Sequence, residues 1–290
     1  MPFRQPAVLA WLMLAPALLL TAVLVVALAW MGEASLHQLD RTTFMPAPER
    51  SLANYAFLTE RPVYWRILGK TLLAAVLVTA ITLALAFPYA WAMVRTASAA
   101  WRKVLLISLF LPFFLGQVVR AYGWLIVLGK QGLLNSVLGS LGLPAVEILY
   151  TYPGVLLGLV QYMLPFAVLL LAPAMTAIPE ETELAAASLG ARPWATLTTV
   201  LLPLAKPGLV AAGIVVFTLT LTDFAMPEIM GGGTTDFIAN AIYDGFFQLG
   251  DSGLGGALAV VLTALGSLLV AVVFTALGLG TLAYVQREAA

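Results

Sequence analysis

Apolar residues run in long unbroken stretches along this chain, and six of these are long enough to cross a bilayer. A hydrocarbon core of ~30 Å needs about 20 apolar residues in helical form. The stretches cover residues 7–31, 71–94, 104–129, 148–175, 208–230 and 254–284. Arg120 interrupts the third, and Asp223 and Glu228 interrupt the fifth. Backbone groups in lipid must be hydrogen-bonded within the chain, so each stretch reads as a helix. The alternation over ~10-residue segments that marks a transmembrane barrel is missing from the pattern. The expected fold class is all-α: a polytopic membrane protein with six transmembrane helices in a single domain, residues 1–290. The first stretch exceeds the about 7–15 apolar residues of a signal peptide, and it is read as a retained span.

The polar positions between the stretches set the orientation. Arg95, Arg102 and Lys103 follow the second stretch, and Arg192 and Lys206 follow the fourth. Basic residues in short loops mark the inner side of a membrane. With Arg4 and Arg287 near the ends, both termini are expected on that side. The outer segments hold most of the acids, including Glu33, Asp40, Glu49, Glu60, Glu147, Asp236, Asp244 and Asp251. Residues 32–66, with Pro46, Pro48 and Pro62, are expected as an ordered outer loop with short helices and a solvated His37. Residues 130–147 contain a short amphipathic piece, expected at the interface, and residues 231–253 open on three glycines.

Composition adds exclusions. The chain has 290 residues, 62% hydrophobic and 10% charged, against about 45–50% and about 25% in soluble domains. It contains no Cys, which excludes disulfides and thiolate chemistry, and one His, which excludes a His-rich metal site. Its formal charge is zero without a polybasic run, so nucleic acid is not an expected partner.

One segment breaks the pattern. Residues 183–209 read ELAAASLGARPWATLTTVLLPLAKPGL, too polar to span and too apolar for an ordinary loop. Pro179 ends the preceding helix. Glu180, Glu181 and Glu183 suit the first turn of a new one. Gly190 permits that helix to stop, and Pro193 fits the start of another. The expectation is two short helices meeting at Gly190, with a small-residue face open to another protein surface.

This segment resembles the EAA loop of ABC-importer permease subunits, the binding-protein-dependent inner-membrane components. Ile178-Pro179, Ala185-Ala186, Leu189-Gly190-Ala191, Leu202-Pro203 and Pro207-Gly208 fit the family's register. The family's Glu falls at position 184, which is Leu here; Glu183 lies one place earlier. RAYGWLIVLGKQGLLN (120–135) and TDFAMPEIMGGG (222–233) resemble segments of the spermidine/putrescine branch, so the similarity covers most of the third to sixth stretches. The resemblance implies an ABC type I importer permease fold in a bacterial inner membrane. It implies that 32–66 is periplasmic and that 176–207 is a cytoplasmic coupling loop. Glu183, Ala185, Ala186, Leu189, Gly190, Ala191, Arg192, Leu202 and Pro203 would then meet an ATPase. The implied partners are a second homologous permease subunit, two ATP-binding subunits, a periplasmic solute-binding protein and membrane lipids. The chain has no G-x-x-x-x-G-K-[ST] sequence. It is therefore expected to be no enzyme and to hold no cofactor, with ATP and Mg on the partner ATPase.

The charges inside the stretches are candidate functional residues, because an intramembrane charge is costly. Counted along straight helices, Arg120 and Asp223 lie at ~23 Å from the inner edge, a depth that allows an ion pair. The same depth allows two roles, structural glue or a solute path. Gln117, Gln161, Tyr162, Tyr122 and Trp124 cluster near the same level, and Glu228 lies one turn further out, beside Pro227. Acids with aromatic faces suit cationic amines. The resemblance to the spermidine/putrescine branch implies a polyamine as the solute, which a path lined by Asp223, Glu228, Tyr122, Trp124 and Tyr162 would suit, with an opine, an amino acid derivative or iron(III) as alternatives within the class. An intramembrane enzyme lacks a nucleophile–base pair or metal set. A secondary transporter would show inverted repeats and usually more spans.

Overall fold

The computed structural model describes residues 6–275, so Arg4, Arg287 and the end of the sixth stretch lie outside the described residues. The described chain forms two compact units. One runs to Trp65 and includes Ala241–Ala264; the other comprises Arg66–Asn240 and the residues from Leu265 onward.

In the first unit, α1 (Pro6–Ala34) is apolar on every side, and its window Met13–Ala34 buries none of its residues. A helix that is hydrophobic all round and unburied in its own chain suits lipid. The loop after α1 corrects the all-α expectation. Strands β1 (His37–Asp40) and β2 (Met45–Arg50) form an antiparallel hairpin, followed by α2 (Ala53–Glu60). Pro46 and Pro48 are compatible with β2, because a two-stranded ribbon has open edges where a missing N–H costs nothing. The Asp40 carboxylate accepts from Thr42 and Thr43 at the turn, and these bonds hold its pKa below the usual carboxylate range. His37 is not simply solvated: Nδ1 lies 2.8 Å from the Ala47 carbonyl and Nε2 lies 3.3 Å from Glu33. Buried Asn54 donates to the carbonyls of Ser35 and His37, tying α2 to the hairpin's entry. A π-helical turn (Asp244–Gln248) and the first half of the last helix complete this unit.

The second unit contains the main core. Its frame is α3 (Pro62–Arg95) and α7 (Tyr152–Thr176). Helix α3 starts on Pro62, whose missing N–H is harmless at the first helical position, and ends on Arg95, which suits the negative end of the dipole. Thr71, Ala74, Ala75, Val78, Thr82, Ala86 and Ala90 form its buried stripe, small enough for close approach. Its 34 residues measure ~51 Å at ~1.5 Å each, well beyond a ~30 Å bilayer core.

Two of the six expected stretches are not single helices. The third divides into α4 (Ala99–Phe113) and α5 (Gln117–Leu128), and α4 meets the continuation through α6 (Leu133–Ser140) at 100°. Pro112 near the end of α4 and Gly116 at the start of α5 supply the break. The fifth divides into α11 (Lys206–Leu221) and α12 (Ala225–Gly231). Here Asp223 starts a new helix by accepting from the backbone N–H of Met226 at 3.0 Å. The straight-helix depths assigned to Arg120 and Asp223 therefore do not hold. Helix α13 (Ile238–Tyr243) follows, and α14 (Ser252–Val273) is the last helix described.

Four described helices are long and apolar enough to cross a membrane, or up to six if each of two bent pairs counts as one span. At the α7–α11 crossing, Gly208 lies against Ala174, and at the α7–α12 crossing, Gly158 lies against Met226 and Met230. Leu159, Met163, Leu171 and Met175 on α7 and Met226 and Met230 on α12 are fully buried there.

Candidate functional site

Two places in the second unit carry the candidate residues. The first is the segment after α7. Helix α8 (Glu180–Ser188) carries Glu180, Glu181 and Glu183 in its first turn and buries no residue. It ends in a Schellman arrangement: Gly190 N–H donates to the Ala187 carbonyl at 2.9 Å and Ala191 N–H to the Ala186 carbonyl at 3.1 Å. That closure requires a left-handed residue, and Gly190 has φ +82°. Arg192 is the cap of the next helix, with Pro193 in its first turn. The chain continues as α9 (Pro193–Ala195), a π-helical stretch (Thr196–Leu201) and α10 (Leu202–Leu204). Thr196, Leu197 and Leu201 are buried and anchor this arm on the core. A 78° bend then leads into α11.

Glu183 faces inward. Arg95 Nε donates to it at 2.5 Å and Trp91 Nε1 at 3.0 Å, while Arg95 Nη2 donates to the Ile178 carbonyl at 2.6 Å. Leu184, at the position of the family's Glu, is 68% exposed, Leu189 89% and Trp194 69%. Ala185, Arg192, Leu202 and Pro203 are also exposed, and Ala186 and Ala191 are half-buried. Arg95 and Trp91 were not recognised as site residues from sequence. They lie about ninety positions from Glu183, and no local spacing relates them.

The second place is the polar interior where α5, α7 and α12 meet. Arg120 and Asp223 do not form the ion pair that equal depth had allowed. Asp223 accepts instead from the Gln117 side chain and from Met226 N–H. The Arg120 guanidinium lies 4.5 Å from the centre of the Tyr162 ring. Its Nε and Nη1 have no hydrogen-bond partner, although the residue is 8% exposed. Tyr162 packs edge-on against Phe166, and Phe166 against Phe113 at the end of α4. Gln161 also leaves its buried Oε1 unpartnered. Gln161 and Trp124 line a common apolar groove of about 540 Å³ with Leu156 and Val160. Tyr122 is 56% exposed and is not among the residues lining that groove. Glu228 is bonded by Asn240 Nδ2 at 2.7 Å, and that Asn also donates to the Phe224 carbonyl. Gln117 and Asn240 thus satisfy the two carboxylates. Gln117 and Gln161 were noted from sequence, whereas Asn240, 12 positions after Glu228, was not.

The comparisons with known proteins bear on this architecture. A model of the family "Binding-protein-dependent transport system inner membrane component" matches residues 6–281. The chain belongs to that family. It is 35% identical over 247 residues to the inner membrane ABC transporter permease protein YdcU of Escherichia coli (strain K12), covering 81% of this chain and 77% of that protein. It is 32% identical over 228 residues to the spermidine/putrescine transport system permease protein PotB of Salmonella typhimurium (strain SL1344), covering 78% and 79%. Among solved structures, a bacterial ABC transporter that imports the acidic polysaccharide alginate matches with TM-score 0.71 at 19% identity, over 91% of this chain and 96% of that one. The alginate transporter in complex with an alginate pentasaccharide-bound periplasmic protein matches with TM-score 0.69 at 17% identity, over 91% and 95%. The fold is that of an ABC importer permease. This permease is a multi-pass protein of the bacterial inner membrane and a transport component, not a catalytic one.

Proposed function

We propose that this permease conducts a polyamine of the putrescine/spermidine type in an ATP-driven importer. The observation that carries the reading is its 32% identity to a spermidine/putrescine permease over 78% of the chain. The working complex would contain a second, homologous permease subunit and two ATP-binding subunits that hold ATP and Mg. A periplasmic binding protein would deliver the solute. Residues 176–207 would be the cytoplasmic coupling loop and 32–66 a periplasmic one, with six crossings and both termini inside. ATP-driven closure of the partner pair would move the loop and switch the bundle between two access states. Arg120, Tyr162, Gln161, Trp124 and Asp223 would line the path or its gate. In this reading the Tyr162 face, now covered by the Arg120 guanidinium, is a cation-binding surface that a solute ammonium can take over.

One observation favours a second solute class. Arg120 has bare donors and no carboxylate partner, which suits a solute that carries a carboxylate, such as an opine or amino acid derivative. Ligand binding by the cognate binding protein separates the two. Putrescine, spermidine, amino acids and iron(III) are titrated in turn. Binding of putrescine or spermidine supports the polyamine reading, and binding of a carboxylate-bearing solute alone sinks it. Uptake by the chain without any ATPase partner would sink the importer reading itself.

A further inference from the structure

The acid of the cytoplasmic segment stands one position away from the family's pattern, and the structure shows what it holds. Glu183 receives Arg95 and Trp91, both from the last two turns of α3. Arg95 simultaneously holds the Ile178 carbonyl, the last residue before Pro179. Three side chains thus bridge the end of α3 to both the entry and the first turn of α8. The Arg95–Glu183 pair is mostly shielded, with side chains 14% and 18% exposed. A shielded charge-assisted pair with a second donor is stronger and more directional than a surface ion pair. Among the described residues, no other side chain from outside residues 176–207 bonds to α8, and this helix buries no residue of its own.

We infer that Arg95, Trp91 and Glu183 form a strut that couples movement of α8 to the long helix α3. The inference rests on the coupling-loop reading proposed above. Three positioning residues are assigned by it, none of which would touch solute or nucleotide. A push on an unanchored nine-residue helix would be absorbed by pivoting about Pro179 and Gly190. With the strut closed, the push reaches α3, whose buried stripe of small residues lies against the core. The strut also has a consequence for the partner surface. Glu183, engaged inward, is withheld from that surface, where Leu184, Leu189 and Trp194 are exposed beside Glu180, Glu181 and Arg192. A complementary cleft at this loop should therefore offer apolar groups to Leu184, Leu189 and Trp194 and no basic residue to Glu183.

The test uses the assembled complex in proteoliposomes and compares the parent with Glu183→Gln, Arg95→Gln and the exchanged pair Arg95→Glu/Glu183→Arg. Permease yield, co-purification of the ATP-binding subunit, ATP hydrolysis and solute uptake are measured for each. The strut predicts that both single variants retain the ATPase partner and their ATP hydrolysis. Solute moved per ATP should fall about tenfold in each, and the exchanged pair should recover part of it. An unchanged ratio in both single variants overturns the inference. So does loss of the ATPase partner in Glu183→Gln alone, which would place Glu183 in the docking contact. If the parent chain itself fails to bind an ATPase, the coupling-loop reading falls instead. Should the exchanged pair accumulate poorly, the two single variants still decide.

Discussion

Gly190 shows how one residue can be legible in sequence and then gain a mechanism from structure. An Ala-rich helix followed by Gly already announces a stop, and the bonds from Gly190 and Ala191 back to α8 show which stop it is. A Cβ at Gly190 would meet nothing within 4 Å, so the requirement for Gly is conformational, not steric. Left-handed backbone costs an L-residue roughly 1–2 kcal/mol, and Asn bears it best. Gly190→Val should therefore insert and accumulate normally. In the assembled complex it should lose most of the ATPase stimulation by loaded binding protein, while Gly190→Asn keeps most of it. Equal stimulation in parent and Val variant would show that the shape of this turn does not matter to coupling. Glu183 is the opposite case. Its acid character is plain in the sequence, but its partners come from the end of α3, a relation that only tertiary structure creates.

At the scale of elements, hydropathy located the apolar segments but not their direction. Residues 104–129 and 208–230 are apolar enough to read as single spans, yet each contains a break with a local cause. The causes are Pro112 with Gly116 in one, and the Asp223 carboxylate capping Met226 in the other. Composition averages over such residues, whereas the chain turns at them. The same averaging hid the hairpin, because prolines lower strand expectation without forbidding an open-edged ribbon. Helix pairing was not legible at all. The α7–α11 crossing depends on Gly208 facing Ala174, where an added Cβ would overlap the Ala174 methyl. Neither side is a flexible chain end, so relief requires the helices to separate. Overpacking of this kind costs about 1–3 kcal/mol. Gly208→Val should lower the thermal midpoint of the detergent-purified permease. Gly213→Ala, one and a half turns along α11 and facing only side-chain ends of Leu83 and Thr79, should leave it nearly unchanged. Equal midpoints for the two variants would mean that the Gly208 contact does not set the helix separation.

For the whole molecule, the decisive quantity is the number of crossings, and it turns on the two bent pairs. If each pair crosses once, the chain alternates sides six times and both ends lie inside. If neither crosses, only α1, α3, α7 and α14 do, and the sides of everything between α4 and α11 are reversed. The two arrangements differ at known positions. In the first, Thr43, Gly142 and Gly250 face outward while Ser98 and Gly190 face the cytoplasm. In the second, Gly142 moves to the inner side and Gly190 to the outer side, and Thr43, Ser98 and Gly250 stay where they were. The chain contains no Cys, so each position can carry the only thiol of an otherwise unchanged protein. A membrane-impermeant maleimide added to intact spheroplasts should label Thr43→Cys, Gly142→Cys and Gly250→Cys. It should reach Ser98→Cys and Gly190→Cys only after the membrane is opened. Basic residues favour this result: Arg95, Arg102 and Lys103 flank Ser98, and Arg192 and Lys206 follow Gly190. Labelling of Gly190→Cys from outside, with Gly142→Cys protected, would establish the four-crossing arrangement. It would also remove the α8 segment from the side on which ATP is hydrolysed, and with it the coupling role argued for Glu183.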